Sequence, residues 1–266
     1  MRKHDPRPIV QAQLPALAIV GMGRAGGSIA RAARAAGIDV HPAGRDDALA
    51  ACRRAEAALL CVPEASLEEV AGLVASAVPP LRFVGHVSGA SGLAVLAPAA
   101  DAGAAAFSMH PLQTVPHRES DLRGAACAVA GSSPEAWALV QALARALGMR
   151  PFAVAEEHRA AYHAAAAMAS NFVVALAESA NELLDRIGVE TARMLLAPLV
   201  VRTAANWAER GPAALTGPIA RGDKATVEHH RAAIAHAAPE LLELYDAVAE
   251  RTGAIAAKAA AEAEAA

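Results

Sequence analysis

Leu17-Ala18-Ile19-Val20-Gly21-Met22-Gly23-Arg24-Ala25-Gly26-Gly27-Ser28 decides how this chain folds. Four apolar residues with branched members, ended abruptly by glycine, suit a short strand buried on both faces. Residues 28–36 follow with helical spacing, and Gly37 stands where a helix ends on a left-handed residue. Ile38-Asp39-Val40 then opens a second strand, closing a strand–helix–strand unit of about 30 residues.

The alternation continues outward. Strands are expected at 57–62, 82–87, 104–109, 125–130 and 151–154, and helices at 66–77, 92–99 and 134–147. Ser66 and Glu69 have the spacing of a capping box. Alternating strands and helices imply a mostly parallel sheet with helices on both faces. After Ala155 strand signals stop. Helices are expected at 156–186, 192–210, 226–237 and 239–265, with Gly253 a candidate break. The expected organisation is a disordered lead-in over 1–15, an α/β Rossmann domain over 16–155 and an all-α domain over 156–266.

Gly21-Met22-Gly23-Arg24-Ala25-Gly26 fits GxGxxG between a strand and a helix. Gly21 permits the tight turn, Gly23 admits a pyrophosphate against the backbone, and Gly26 lets helix and strand pack closely. The helix N-terminus then offers free N–H groups to the anion. The stretch after the second strand reads His41-Pro42-Ala43-Gly44-Arg45-Asp46. An acidic residue there would bond an NAD ribose, whereas Arg45, helped by Arg24, suits the 2′-phosphate of NADP. NADP is favoured over NAD; in the other reading Arg45 is solvated and Asp46 or Asp47 takes the ribose.

Ligands of such sheets bind beyond the carboxyl ends of the strands. Cys61-Val62-Pro63-Glu64, His86-Val87-Ser88-Gly89 and His110-Pro111-Leu112-Gln113 fall there. Val62 and Pro63 would shape the nicotinamide–ribose wall. His86 and His110 are proton donors or acceptors, or hydrogen-bonded structural groups, and Ser88 orients a substrate oxygen or caps the next helix. Tyr162-His163 and Ser170-Asn171 are the polar members of an otherwise small, apolar helix. His163 and Ser170, seven apart, share its face. That stripe either lines a cleft or is buried and hydrogen-bonded. Leu215-Thr216-Gly217-Pro218-Ile219-Ala220-Arg221-Gly222-Asp223 is a structured loop with an anion-binding arginine and a capping aspartate.

Bulk properties narrow the function. Of the 266 residues, 24 are Lys or Arg and 27 Asp or Glu, with no long basic run, which disfavours nucleic-acid binding. Cys52, Cys61 and Cys127 lack metal or disulfide spacing and read as reduced thiols of a cytoplasmic protein, and no metal is expected. No signal peptide is seen, and no run of about 18 uninterrupted apolar residues, so no membrane is expected. The apolar runs 160–169 and 173–176 read as a buried helix in water.

GMGRAGGSIA, HVSGA, MHPLQTV, YHAAAAMASN and LTGPIARGD occur in this order. On these motifs the chain resembles the Rossmann-like proteins that carry the domain of unknown function 2520. The resemblance implies a helical domain that commonly mediates dimerisation. The plan is similar to pyrroline-5-carboxylate reductase, prephenate dehydrogenase and the 6-phosphogluconate and hydroxyisobutyrate dehydrogenases. The helix lysine that hydroxyacid dehydrogenases place four residues before an asparagine is absent: Ala167 stands four before Asn171.

The expected function is an NADP-dependent oxidoreductase, a homodimer, passing hydride to or from a small carbonyl, imine or hydroxy substrate in an inter-domain cleft. His110 or His163 would donate the proton and Ser88 and Asn171 would orient the reacting group. Tyr162, Arg221 and Asp223 would contact substrate, with Arg221 holding an anion. The alternatives are a non-catalytic NADP-binding sensor or interaction protein, and an enzyme using deazaflavin (F420) as hydride partner.

Overall fold

A computed structural model of the chain describes residues 14–264, so the expected lead-in lies almost wholly outside the described residues. These residues form two compact units, the first ending at Ala167 and the second beginning at Met168.

In the first unit, β1 (Leu17–Val20), β2 (Val40–Ala43), β3 (Ala57–Leu60), β4 (Phe83–His86), β5 (Ala105–Leu112), β6 (Ala126–Gly131) and β7 (Arg150–Ala153) form one sheet in the order β2-β1-β3-β4-β5-β6-β7. Pairing is parallel except between β5 and β6. The pleat sorts the core. Leu17, Ile19, Ala57 and Leu59 face one apolar cluster, while Ala18, Val20, Ala58 and Leu60 face the other. Helices α1 (Arg24–Ala35) and α5 (Pro134–Ala146) supply Ile29, Ala33, Val140 and Leu143 to the first cluster. Helices α2 (Ala48–Cys52), α3 (Leu67–Ala75) and α4 (Ala97–Asp101) supply Ala48, Val70, Val74 and Ala99 to the second.

Two details of the sheet position the candidate site. Strand order reverses between β1 and β3, which opens the ligand crevice of such sheets at their carboxyl ends. Strand β5 also outruns its neighbour: residues 105–108 pair with β4, whereas 109–112 pair only with β6. Met109 to Leu112 therefore form a shelf beyond the end of β4. The Ser66–Glu69 capping box does not form. A 3-10 turn precedes α3, the Ser66 side chain caps nothing, and Glu69 meets Arg45 instead.

The segment expected to be one helix over 156–186 is a 3-10 turn followed by α6 (Arg159–Ala169) and α7 (Asn171–Arg186), interrupted at Ser170 with φ −129° and ψ −76°. By length and composition it is apolar enough to cross a bilayer, yet its first turns carry a charged pair planted in the sheet unit.

The second unit holds α7, α8 (Ala192–Arg210), α9 (Pro218–Arg221), α10 (Lys224–Ala237) and α11 (Leu242–Glu264), the last passing through Gly253 without a break. Polar clamps join these helices. Arg186 reaches both Glu182 and Glu240, and Arg231 grips Asp246 with two nitrogens at 2.8 and 3.1 Å. The expected burial of its apolar runs is not what the chain achieves. In the runs 160–169 and 173–176, Met168 and Val174 are more than half exposed, as are Met194, Leu199 and Trp207 of α8, because no other helix of the chain covers these side chains.

Candidate functional site

The glycine turn has the form its spacing requires. Gly21 has φ +99°, and a Cβ there would stand 2.5 Å from the Cys61 carbonyl oxygen, so β1 turns directly against the end of β3. A Cβ on Gly26 would stand 1.9 Å from the Gly21 carbonyl oxygen. Gly23, by contrast, has open space before it, and no side chain caps α1 and no acid occupies its first turn. A backbone approach that only glycine permits, facing uncapped N–H groups, fits a dinucleotide pyrophosphate. Met22, Arg24 and Ala25 complete the turn; Arg24 is exposed, and Val62 and Pro63 follow β3 beside it. Arg45, two residues past β2, is ion-paired with Glu69 of α3, both exposed.

The loop between β5 and β6 crosses α1. Ser28 Oγ donates to the His117 carbonyl at 3.0 Å, Arg31 donates to the carbonyls of Glu119 and Ser120, and Gly27 leaves room for Arg118. Between this loop and the shelf lies a cavity of about 190 Å³, lined by Ala25, Ile29, Val87, His110, Pro111 and Val115 among others.

His86 and His110 end neighbouring strands but differ in kind. His86 is fully buried. Its Nδ1 accepts the Ser88 N–H at 3.2 Å and its Nε2 lies 3.1 Å from the Gly92 carbonyl, so backbone engages both nitrogens. Burial pulls His86 down to about 4, which keeps it neutral. It pins the loop 88–92 to β4. Ser88 is likewise engaged: its hydroxyl donates to Glu64 and accepts the Ser91 N–H at 2.9 Å.

His110 stands on the shelf. Its Nδ1 lies 2.7 Å from the Tyr162 hydroxyl, and its ring meets His163 edge to face at 5.9 Å between centroids. Burial, then the neighbouring His163, pull His110 down to about 4, and burial pushes Tyr162 up to about 12. Gly89 is the hinge of this cluster. A Cβ there would fall 2.8–2.9 Å from His110 Cε1 and Nε2 and 2.8 Å from His163 Cδ2.

Sequence reading missed the anchor beneath these rings. Arg159 is 1% exposed, donating to the Ser108 hydroxyl and, at 2.8 Å, to Glu156 Oε1. The other Glu156 oxygen accepts the Leu93 N–H at 2.8 Å, in space that only Gly92 leaves open. Residues three and four after Arg159 on α6 are Tyr162 and His163, the same helix face; two after Ser108 on β5 is His110, the same strand face. Arg159 on Ser108 thus delivers Tyr162 to His110. The sequence hint was Arg159 one turn before the Tyr-His pair.

The structure brings together Ser88, His110, Tyr162 and His163, all in the first unit, and His86 supports them from below. Asn171, Arg221 and Asp223 belong to the second unit. Asn171 opens α7 just past the interruption, so no single helix carries it on a face with His163. Asp223 caps α10, accepting the Thr226 N–H at 3.1 Å and its hydroxyl at 2.7 Å, and Arg221 is exposed beside it. Among the described residues no three His, Cys, Asp or Glu side chains gather as a metal site.

Residues 45–111 match a Rossmann-like domain and residues 125–252 the domain of unknown function 2520. No curated protein matches the sequence. Among solved structures, a Bacteroides fragilis protein provisionally described as an NADP oxidoreductase is similar with TM-score 0.75 and 20% identity, covering 91% of this chain and 98% of that one. A Thermotoga maritima protein gives TM-score 0.70 and 22% identity, covering 91% and 99%. A reductive aminase of Aspergillus terreus, solved with NADPH and ethyl-5-oxohexanoate, gives TM-score 0.64 and 17% identity, covering 90% and 93%. At these identities the likeness establishes a shared fold.

Proposed function

The chain belongs to the Rossmann-like proteins that carry the domain of unknown function 2520, and on that premise we propose that it is an NADP-dependent oxidoreductase acting on a small carbonyl, imine or hydroxy substrate. The observation that carries this reading is the pairing of an open, uncapped glycine turn with the His110–Tyr162–His163 cluster on the same carboxyl edge of the sheet. A structural relative solved with NADPH, the reductive aminase, supports it.

Gly21, Gly23 and Gly26 would hold the pyrophosphate, Arg45 and Arg24 the 2′-phosphate, and Val62, Pro63 and the cavity beside Ala25 and Val87 the nicotinamide end. When bound, the reduced nicotinamide supplies a hydride. The chain supplies a proton donor and a dry wall. His110 is that donor, because it lines the cavity. His163 flanks it, and Ser88, tethered to Glu64, precedes Gly89, which packs against both rings. His86, with both nitrogens engaged, takes no part in proton transfer. Asn171, Arg221 and Asp223 are assigned to substrate contact, and the uncovered apolar faces of α7 and α8 support a homodimer. We read the protein as cytoplasmic; its buried, unpaired Cys52 and Cys127 agree with a reducing compartment.

The test is a screen of small ketones, aldehydes and cyclic imines for oxidation of NADPH, repeated with His110→Asn. Turnover that falls at least 100-fold in the variant supports the assignment. Turnover unchanged in the variant overturns it.

A further inference from the structure

Tyr162 is a buried-edge phenol whose hydroxyl has one partner of unusual consequence. His110 is neutral, so one ring nitrogen carries hydrogen and the other a lone pair. The hydrogen bond at Nδ1 decides which. A phenol is a stronger donor than a neutral imidazole N–H, and an imidazole nitrogen a stronger acceptor than a phenol oxygen. The remaining hydrogen of His110 is then on Nε2, the atom that packs beside Gly89.

We infer that Tyr162 is a positioning residue: its hydroxyl donates to His110 Nδ1, holds the ring as the Nε2–H tautomer, and replaces the proton that Nε2 gives up. The inference rests on the oxidoreductase reading only for its last clause. In reduction of a carbonyl, the hydride that a bound cofactor would supply leaves the substrate oxygen in need of one proton, and the chain's part is to deliver it. The Nε2–H bond of His110 breaks as the product O–H bond forms. The Tyr162 O–H bond breaks as an Nδ1–H bond forms. The tyrosinate that remains takes a proton from water, which reaches it because Tyr162 is only half-buried. His110 thereby never becomes an imidazolium.

Three features of the fold serve this arrangement. Arg159 plants α6 on Ser108, so that Tyr162 meets His110. Gly89, having no Cβ, lets the loop lie against the His110 and His163 rings. The shelf of β5 carries His110 past the end of β4.

The experiment is nitrogen–proton correlation spectroscopy of the free, full-length protein labelled with ¹⁵N-histidine at pH 7, which distinguishes the two neutral tautomers ring by ring. His110 is expected as pure Nε2–H. In Tyr162→Phe it is expected to become a mixture of tautomers, while His86, locked by Ser88 and Gly92, keeps its signals and reports that the fold is intact. A wild-type His110 carrying its hydrogen on Nδ1 overturns the inference, as does a Tyr162→Phe ring still purely Nε2–H. The wild-type spectrum decides the tautomer even if the variant does not fold. Failure of NADPH to bind would strike the oxidoreductase reading and leave this measurement standing. Where a ketone substrate is turned over, Tyr162→Phe is expected to lower kcat about 10- to 100-fold with KM within twofold.

Discussion

Arg159 and Ser108 meet at the point where helix α6 touches strand β5, and from that contact the spacing of two regular structures carries Tyr162 onto His110. The guanidinium is almost fully buried, while its carboxylate partner Glu156 is 47% exposed. The pair is therefore asymmetric, and its two halves should not cost the same to remove.

Glu156→Gln leaves a buried cation with its charge uncompensated, whereas Arg159→Met leaves a carboxylate that water can reach. The first is expected to destabilise by about 2–3 kcal/mol and the second by less, since only the buried orphan bears the full desolvation cost. Urea unfolding of both variants checks the order. Equal losses, or a larger loss in Arg159→Met, would contradict it.

The glycine turn gives a steric prediction. Gly26→Ala puts a methyl carbon 1.9 Å from the Gly21 carbonyl, a backbone atom that cannot swing aside. Displacing α1 from β1 is expected to cost about 1–3 kcal/mol and to abolish nucleotide binding. Gly23→Ala meets nothing in the free protein. It should keep its melting temperature yet lose affinity for the dinucleotide by at least tenfold, the sign of a glycine kept for a ligand.

The charge pair at the end of β2 sets cofactor preference. If Arg45 reads the 2′-phosphate, it must leave Glu69 to do so. Arg45→Ala is expected to weaken NADPH about 10- to 100-fold, the value of a charge-assisted contact of roughly 1.5–3 kcal/mol, with NADH little changed. Glu69→Gln removes both the competitor and a like charge, and should tighten NADPH severalfold. Calorimetry with the two nucleotides measures both. An NADPH-to-NADH ratio unmoved in either variant would count against Arg45.

Acid should unfold this protein through its histidines. His86 and His110 have folded values near 4, below the ordinary 6.5. Between those values the unfolded chain binds the protons and the folded chain does not, so the stability they contribute is present above about pH 6.5 and is lost as pH falls toward 4. Each fully shifted histidine adds at most about 1.4 kcal/mol per pH unit to the slope in that window. Denaturation at pH 7, 6, 5 and 4.5 reads the slope, and His86→Asn should lower it. A slope unchanged by His86→Asn would contradict the burial argument.

Sequence made the first unit legible through its punctuation. The strand ending at Val20, the glycines at 21, 23 and 26, and the histidines at the ends of β4 and β5 announce themselves locally. What stayed hidden depends on contacts across long separations. Arg159 looks like a surface residue opening an alanine helix, and only Ser108, 51 residues earlier, makes it an anchor. His86 and His110 look equivalent until the backbone around His86 claims both its nitrogens. The helix 156–186 read as continuous because Ser170 and Asn171 are tolerable in a helix, and nothing local marks the interruption. The same runs read as buried because apolar composition signals that a face needs covering, without saying whether one copy of the chain supplies the cover.

Calorimetric titration of the protein with NADPH, NADP, NADH and NAD tests the cofactor assignment on which every other role depends. Tighter binding of the phosphorylated pair, with the preference lost in Arg45→Ala, is expected. Binding of none of the four would refute the assignment and leave a Rossmann-like scaffold whose glycine turn serves another partner.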